Sequence, residues 1–568
     1  MRSFQVNPQW EGLTKTIEQE NPPCKYEIHG MSEAMVSMRD GVQLHTRIYR
    51  PNQGDSWPCI LVRNPYPNNQ DLLEATYTQF VRHGYVLVIQ SCRGTGLSEG
   101  EWSPFVNERE DGIDTLEWLV QQSFQNGNIA LFGQSYCSFT TWIIADSLPK
   151  EVKTVFLDLF GVDRYGQMYM NGMFRHDIYT SWAFANSGVE TTTDAGELYQ
   201  DSLSILPHNQ ADEKLLGCTL PFYQSYISET SRESKYWQEG IWAELLNIPS
   251  KINIPVFMVE GWFDHHLKGA FKGYNLLQDH VKRKSRFVVG PWDHVGNSPG
   301  ERTYPDANLL GAFRIKAALE WFDIHLKGNP GTFSPISFYR IGASRWEERQ
   351  SITDQDTTWR LYFSNNPEQQ LTDKPSQPST VKYVYDPSSP VPTHGGSALL
   401  AWIMPSFKGA PHGSLAQPDF SDRQDVLRFD SAVLDENTQI TGGIKVCLEV
   451  STDAEDTAFS VKICEVFPDG QSFNIVDGIT SLRYRNNIDQ PVDYTPNQPA
   501  QVIIEMWPTA WELQKGSFIR AEVSSSNFPA YHVHSNVKEP WASTSKYKIA
   551  AQTLYTGSNY CSYIEFPK

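Results

Sequence analysis

A chain of 568 residues is longer than one hydrophobic core fills, so two or three domains are expected, and 40% hydrophobic with 13% aromatic residues excludes a mostly disordered polypeptide. The 47 Lys and Arg against 66 Asp and Glu leave a net charge of −19 with no basic cluster, which argues against nucleic acid as a partner. No apolar run reaches transmembrane length and no apolar segment follows Met1, so no membrane association and a cytoplasmic location are expected.

Residues 1 to about 30 are polar, are broken by Pro22-Pro23, and read as a lead-in. Met35-Val36-Ser37-Met38 and the run from Val42 to Tyr49 alternate on either side of Arg39-Asp40-Gly41, the pattern of a hairpin. Short, almost wholly apolar strands then alternate with helical stretches, at 59–62, 85–89, 129–132 and 152–159. Strands without a polar face are covered on both sides, so a mainly parallel α/β sheet is expected. Between them residues 111–120 carry helical spacing, with Asp111 as the cap. From about 160 to 250 the strand rhythm gives way to apolar and aromatic residues at helical intervals, which reads as an inserted helical cap. Strands return at 254–259 and 286–289, and a helix at 309–327, apolar at Leu310, Phe313, Ile315, Ala318, Leu319, Phe322 and Leu326, closes this half. Beyond about 340, alternating runs at 359–363, 444–450, 459–463 and 518–523 lie between Pro, Gly, Asn and Asp clusters, as in an antiparallel β-sandwich or jelly roll. Eight cysteines without C-x-x-C pairs predict neither a disulfide framework nor structural zinc.

The strand at 128–132 runs into Gly133-Gln134-Ser135-Tyr136-Cys137 and then a helical run at 140–147, which reads as a nucleophile elbow with Ser135 at its point. Gly133 lets the turn pack closely, and the helix that follows aims unpaired N–H groups at charge near Ser135. Cys137 stands where the commonest G-x-S-x-G form has its second glycine. A serine hydroxyl attacks only when a base takes its proton, and the base needs an acid to fix its tautomer. Two loops at carboxyl ends of strands supply both: Glu260-Gly261-Trp262-Phe263-Asp264-His265-His266 and Gly290-Pro291-Trp292-Asp293-His294. The order Ser135, Asp264, His294 is that of the α/β-hydrolase fold. Asp293 remains an alternative acid, and Asp264 an alternative cap of a helix starting near Leu267.

Together Arg63-Asn64-Pro65-Tyr66, Cys92-Arg93-Gly94-Thr95-Gly96-Leu97-Ser98-Glu99-Gly100, Gly133-Gln134-Ser135-Tyr136, Gly261-Trp262-Phe263-Asp264 and Gly290-Pro291-Trp292-Asp293-His294 resemble the cocaine esterase and X-prolyl dipeptidyl-peptidase-like family of serine acyl hydrolases. Pro392-Thr393-His394-Gly395-Gly396, Asp425-Val426-Leu427-Arg428-Phe429 and Ser526-Asn527-Phe528-Pro529 resemble that family's C-terminal jelly roll. The resemblance covers about 30 to 560. It implies an α/β-hydrolase core (1–159 and 251–340), a helical cap (160–250) and a galactose-binding-like β-sandwich (341–568) that helps wall the substrate cleft. It also implies that the Tyr66 phenol and the Tyr136 backbone N–H serve the oxyanion.

The chain departs from the family at Ser138, where glycine is usual, at His265-His266 after the acid, and at Glu260. Two readings stand for His266 and Glu260, beside Trp262: one of them faces a polar or cationic acyl group, or, as is more usual for such residues, they serve only hydrogen bonds at the surface or behind the site. The function expected is hydrolysis of a carboxylic ester or amide of a small molecule or short peptide through an acyl-enzyme, with no metal or organic cofactor and, by base rate, as a homodimer. An acyltransferase or thioesterase-like enzyme of secondary metabolism would use the same triad. A catalytically inactive ligand-binding protein is the rival from another class, and a complete triad argues against it.

Overall fold

The computed structural model describes residues 6–307, 313–350, 357–397, 410–487 and 490–567. Strands β1 (Ile28–Ser37) and β2 (Gln43–Pro51) form the expected hairpin. Then come β3 (Trp57–Asn64), β4 (Val86–Ser91), β5 (Gln125–Gln134) and β6 (Val152–Asp158), followed by a small hairpin of β7 (Tyr169–Met170) and β8 (Met173–Phe174). The main sheet resumes with β9 (Val256–Gly261), β10 (Arg286–Gly290), β11 (Ile336–Arg340) and β12 (Arg345–Arg349). Its order is β1-β2-β4-β3-β5-β6-β9-β10-β11-β12, and every pairing from β4 to β11 is parallel.

Alternation along β3 explains how one apolar strand feeds two cores. Ile60 and Val62 join Phe80, Phe132, Phe156 and Phe322 on one face, whereas Cys59 and Leu61 join Leu116, Phe139 and Trp142 on the other. Helices Gln70–Arg82 and Arg314–Lys327 supply the first of these layers. Of the helix expected at 309–327, Leu309 and Leu310 lie outside the described residues.

Three local expectations need correcting. The helix expected at 111–120 spans Glu108–Leu119 with Asn107 at its N-cap; Asp111 lies inside its first turn, where Arg93 takes its carboxylate at 2.6 and 3.1 Å. The helix after the elbow is Tyr136–Trp142 rather than 140–147, because the turn at Ser135 leads straight into helical backbone. The polar lead-in contains the helix Glu11–Glu20, which buries Ile17 with Phe80 and Val81 of the next helix.

Helices from Arg164–Met168 to Gly240–Asn247 build the cap between β6 and β9. The C-terminal region is mainly β: among the described residues eleven strands between Thr358–Asn365 and Tyr563–Pro567 form one hydrogen-bonded array, with Thr438–Thr452 and Ala500–Leu513 paired along most of their length. It is fastened to the main sheet where Ile341 N–H donates to Ala510 O (2.9 Å) and Glu512 N–H to Ile341 O (2.8 Å). The buried Arg340 guanidinium adds bonds to Ile440 O and Thr441 Oγ1. The cap is tied to the β region through Phe174, whose N–H donates to His532 Nδ1 and whose carbonyl accepts from His532 N–H, both at 3.0 Å. No described helix is long and apolar enough to cross a membrane.

Histidines crowd that junction. The rings of His208 and His532 stack on Trp541 with centroids 5.3 and 4.5 Å away, and His176 lies 4.7 Å from His208. Burial holds all three imidazoles below their usual range, His208 at about 4. Unfolded histidine titrates near 6.5, so as pH falls the unfolded chain binds protons first. The stability is therefore whole above pH 6.5 and is lost down to pH 4, by roughly 3 kcal/mol from His208 alone. Thermal unfolding midpoints should drop steeply between pH 6.5 and 4.5, and less steeply in His208→Gln; a profile flat over that range would contradict the assignment.

Candidate active site

Ser135 follows β5 at φ 55° and ψ −124°, a conformation that costs a non-glycine residue strain and that a nucleophile elbow imposes. Its N–H donates to Asp158 O at the end of β6 (2.9 Å), and the next turn winds at once into helix, with Phe139 N–H donating back to Ser135 O. Gly133 is required here: a Cβ would lie 2.1 Å from Cys137 O. Ser138, one of the departures from the family, is put to use, since its Oγ accepts from Asp158 N–H at 3.0 Å and ties the elbow helix to β6.

His294 Nε2 lies 2.8 Å from Ser135 Oγ, and His294 Nδ1 lies 2.9 Å from Asp264 Oδ2. Asp264 is fully buried, and its other oxygen accepts from His266 N–H (2.8 Å) ahead of the helix Leu267–Leu276. One carboxylate thus serves the helix start with Oδ1 and the imidazole with Oδ2. Asp293 is committed elsewhere: Val295 N–H, Asn297 N–H and His412 Nε2 surround it at 3.0, 2.8 and 2.9 Å. Of the two candidate acids, only Asp264 bonds the His294 ring among the described residues.

Below the triad lie more carboxyl groups. Glu260 is wholly buried, with Oε1 accepting from Gly261 N–H at 3.2 Å. Burial and the neighbouring Asp264 carboxylate push its pKa up, and its Oε2 meets no hydrogen-bond partner among the described residues. Asp158 is pushed up to about 6 by burial, against the pull of Arg314, with which it pairs.

Tyr66 follows β3, and its hydroxyl accepts from Trp182 Nε1 of the cap at 3.3 Å. Burial raises its pKa, so the phenol keeps its proton beside the Ser135 hydroxyl. The Tyr136 side chain is anchored, donating to Glu108 Oε1 (2.5 Å) and accepting from Phe105 N–H (2.6 Å), while its backbone N–H donates to no described group. Burial raises Glu108 to about 7.

The remaining predicted residues are distributed differently. His266 is buried, with its ring 4.6 Å from Phe160 and 5.2 Å from His294, and burial keeps it neutral. Glu260 sits with Asp264 beneath the triad. Trp262 donates to Tyr339 O (2.7 Å) and lines a cleft shared by cap, core and β region, with Arg175, Asp477 and Trp507. Phe105, Glu108 and Trp182 were not found from the sequence; they lie in segments without a motif and reach the site only through tertiary packing.

His265, His266 and His294 bring ring nitrogens within 4.8 Å of one another, close enough to share a metal ion. Both nitrogens of His294 are already engaged, so a cation would compete with Ser135 and Asp264 for that ring.

Residues 40–296 match the family model described as X-Pro dipeptidyl-peptidase (S15 family), and residues 332–565 match that of the X-Pro dipeptidyl-peptidase C-terminal non-catalytic domain. Cocaine esterase of Rhodococcus sp. (strain MB1 Bresler) is 30% identical over 543 residues, covering 89% of this chain and 92% of that protein. Among solved structures, an α-amino acid ester hydrolase aligns with a TM-score of 0.80 at 24% identity, over 96% of this chain and 97% of its own. An aminopeptidase from the marine sediment archaeon Thaumarchaeota archaeon gives 0.81 at 23% identity over 96% of both chains. At such identities these two structures speak for a common fold.

A cation held by His265, His266 and His294 would engage ring nitrogens that face Ser135 and Asp264, and the outcome expected is inhibition. Ester turnover should survive exhaustive dialysis against EDTA and fall reversibly on addition of Zn²⁺. Activity that disappears with EDTA and returns with Zn²⁺ would contradict this reading.

Proposed function

The chain belongs to the cocaine esterase and X-Pro dipeptidyl-peptidase (S15) family of serine hydrolases, and from that premise we propose that Ser135, His294 and Asp264 are its catalytic triad, cleaving a carboxylic ester or amide of a small molecule or short peptide. The observation that carries this reading is the pair of hydrogen bonds on one imidazole, 2.8 Å to Ser135 Oγ and 2.9 Å to Asp264 Oδ2.

His294 Nε2 takes the hydroxyl proton as Ser135 Oγ attacks the carbonyl carbon. Asp264 stays ionised, holds Nδ1–H in the correct tautomer and stabilises the imidazolium. Negative charge forms on the carbonyl oxygen, where the Tyr66 O–H and the Tyr136 N–H donate to it. The raised pKa of Tyr66 suits a donor that must not ionise. Collapse of the tetrahedral intermediate moves the Nε2 proton to the departing oxygen or nitrogen and leaves the acyl group on Ser135. Water, deprotonated by the same imidazole, then releases the acid.

Glu260 acts one step back, as a positioning residue. Its raised pKa keeps the carboxyl neutral beside Asp264, so that a small turn of the side chain lets it donate to the acid and hold its orientation, while adding no charge to a buried site that already holds Asp264.

Ser135→Ala should lower kcat by about 10⁵- to 10⁶-fold with the fold intact. Tyr66→Phe should cost about 10²- to 10³-fold in kcat with little change in KM, the effect of one oxyanion donor in a dry site. Full turnover by Ser135→Ala would overturn the triad, and a change confined to KM in Tyr66→Phe would move the phenol to ground-state binding. Glu260→Gln, which can still donate, should retain most activity, whereas Glu260→Leu should lose kcat and shift the pH profile. Equal behaviour of the two variants would remove the positioning role.

A further inference from the structure

Arg164 opens the cap at the start of the helix Arg164–Met168, and its side chain is almost wholly buried. The guanidinium lies over four aromatic rings: Phe105 at 4.8 Å, Tyr179 at 4.7 Å, Trp242 at 5.4 Å and Tyr226 at 5.5 Å. Its one described hydrogen bond is a long one to Tyr226 Oη (3.5 Å), and its Nε meets no acceptor. Among the described residues no carboxylate pairs with it. The adjacent Asp163 is occupied by Arg232 (2.7 and 3.1 Å) and Lys272 (3.0 Å). Other buried arginines in this chain do have a carboxylate: Arg175 has Asp177, Arg314 has Asp158 and Arg340 has Glu347.

A cation taken out of water is costly to leave unpaired, and a cage of rings offsets only part of that cost while leaving the N–H groups without acceptors. The cage also borders the reacting groups. Phe105 packs on Tyr136, the residue after Ser135, with centroids 4.5 Å apart, and on Trp182, the donor to Tyr66, at 5.6 Å. Tyr179 meets the ring of His265 at 6.0 Å, and His265 lies 4.5 Å from His294. The buried Tyr179 hydroxyl likewise has no partner. Among the described residues the guanidinium has only the long bond to Tyr226 and this phenol has no partner, and the neighbouring imidazoles of His265 and His266 are kept neutral by burial, with Arg164 contributing. Glu260 offers no negative wall here, being buried with Asp264. A planar cation with free N–H groups beside a free phenol matches a carboxylate in shape and charge.

We infer that Arg164, assisted by the Tyr179 hydroxyl, binds a carboxylate carried by the substrate a few bonds from the scissile carbonyl, so that the preferred substrate is an anionic ester or amide. This rests on the acyl-hydrolase reading above, and it sets an anionic group against the reading in which His266 or Glu260 faces a polar or cationic one.

The test uses matched chromogenic anilides. For a carboxylate on the acyl half, glutaryl-4-nitroanilide is compared with the neutral pentanoyl-4-nitroanilide, which carries no second cleavable ester. For one on the leaving group, the pentanoyl amide of 5-amino-2-nitrobenzoic acid is compared with that of 4-nitroaniline. One anionic member should exceed its neutral partner by about 50-fold or more in kcat/KM, and the arm in which this occurs identifies the half that bears the charge. Within each variant, that ratio should collapse to about 3-fold or less in Arg164→Gln and fall about 5-fold in Tyr179→Phe. Should Arg164→Gln not fold, wild-type inhibition by glutarate but not by pentanamide, weakened in Tyr179→Phe, carries the same information. Equal or better turnover of the neutral members by wild type overturns the inference. If Ser135 still reacts with a fluorophosphonate and neutral nitrophenyl esters still turn over, the hydrolase reading survives that failure; loss of both removes it as well.

Discussion

His294 takes part in two hydrogen bonds at once, and each comes from a different strand end. Ser135 is carried by β5 and Asp264 by the loop after β9, while the imidazole itself comes from the loop after β10. The spacing between acid and base is fixed by backbone that continues the sheet beyond its formal end. Trp262 N–H donates to Gly290 O (2.8 Å), and Phe263 N–H donates to Trp292 O (3.0 Å), so the two loops leave the sheet still paired. Two glycines allow it: a Cβ at Gly261 would lie 2.2 Å from Trp292 O, and one at Gly290 would lie 2.4 Å from the Trp292 ring. The geometry of the triad is therefore a property of strand pairing rather than of flexible side chains.

Burial sets the electrostatics around that ring. Asp264 has no solvent exposure, and an isolated buried carboxylate would cost several kcal/mol. Here it is compensated by His294, by the His266 N–H and by a neutral Glu260. Asp158 stands on Arg314 beneath the elbow and also offers Ser135 its backbone carbonyl. The enclosure is completed by aromatic rings, Trp182 from the cap and Phe105 from the segment ahead of the helix Glu108–Leu119. Trp182 and Phe105 hold Tyr66 and Tyr136 in place, and the β region closes the far side through His412 on Asp293. Hydrogen bonds act more strongly in such a buried site than in water, and under the proposed mechanism that is what the enclosure would contribute to oxyanion binding.

Much of this was legible in the sequence because local rules and the fold agree. Apolar strands with no polar face announced a covered parallel sheet, and the glycine two residues before Ser135 announced a turn that no other residue fits. The order serine, acid, histidine was likewise readable. What stayed open needed three dimensions. Asp293 and Asp264 occupy similar loop positions, and only the contacts of Asp293 with Val295, Asn297 and His412 separate them. Asp111 carries a helix-capping residue type, yet a buried ion pair with Arg93 claims its side chain. Arg164 looks in sequence like an ordinary polar residue after a turn. Its isolation depends on Asp163 being taken by Arg232, 68 positions further along the chain from Arg164, which no local pattern encodes.

In the mechanism proposed, Ser135 carries the acyl group between two chemical steps. Acid quenching of the enzyme during turnover of a slowly released ester, followed by peptide mass mapping, tests it directly. The account predicts a mass increment equal to the acyl group on the peptide containing Ser135, decaying at the rate of product release. A quenched enzyme that turns over the ester with no covalent increment, or with one on another residue, would contradict it.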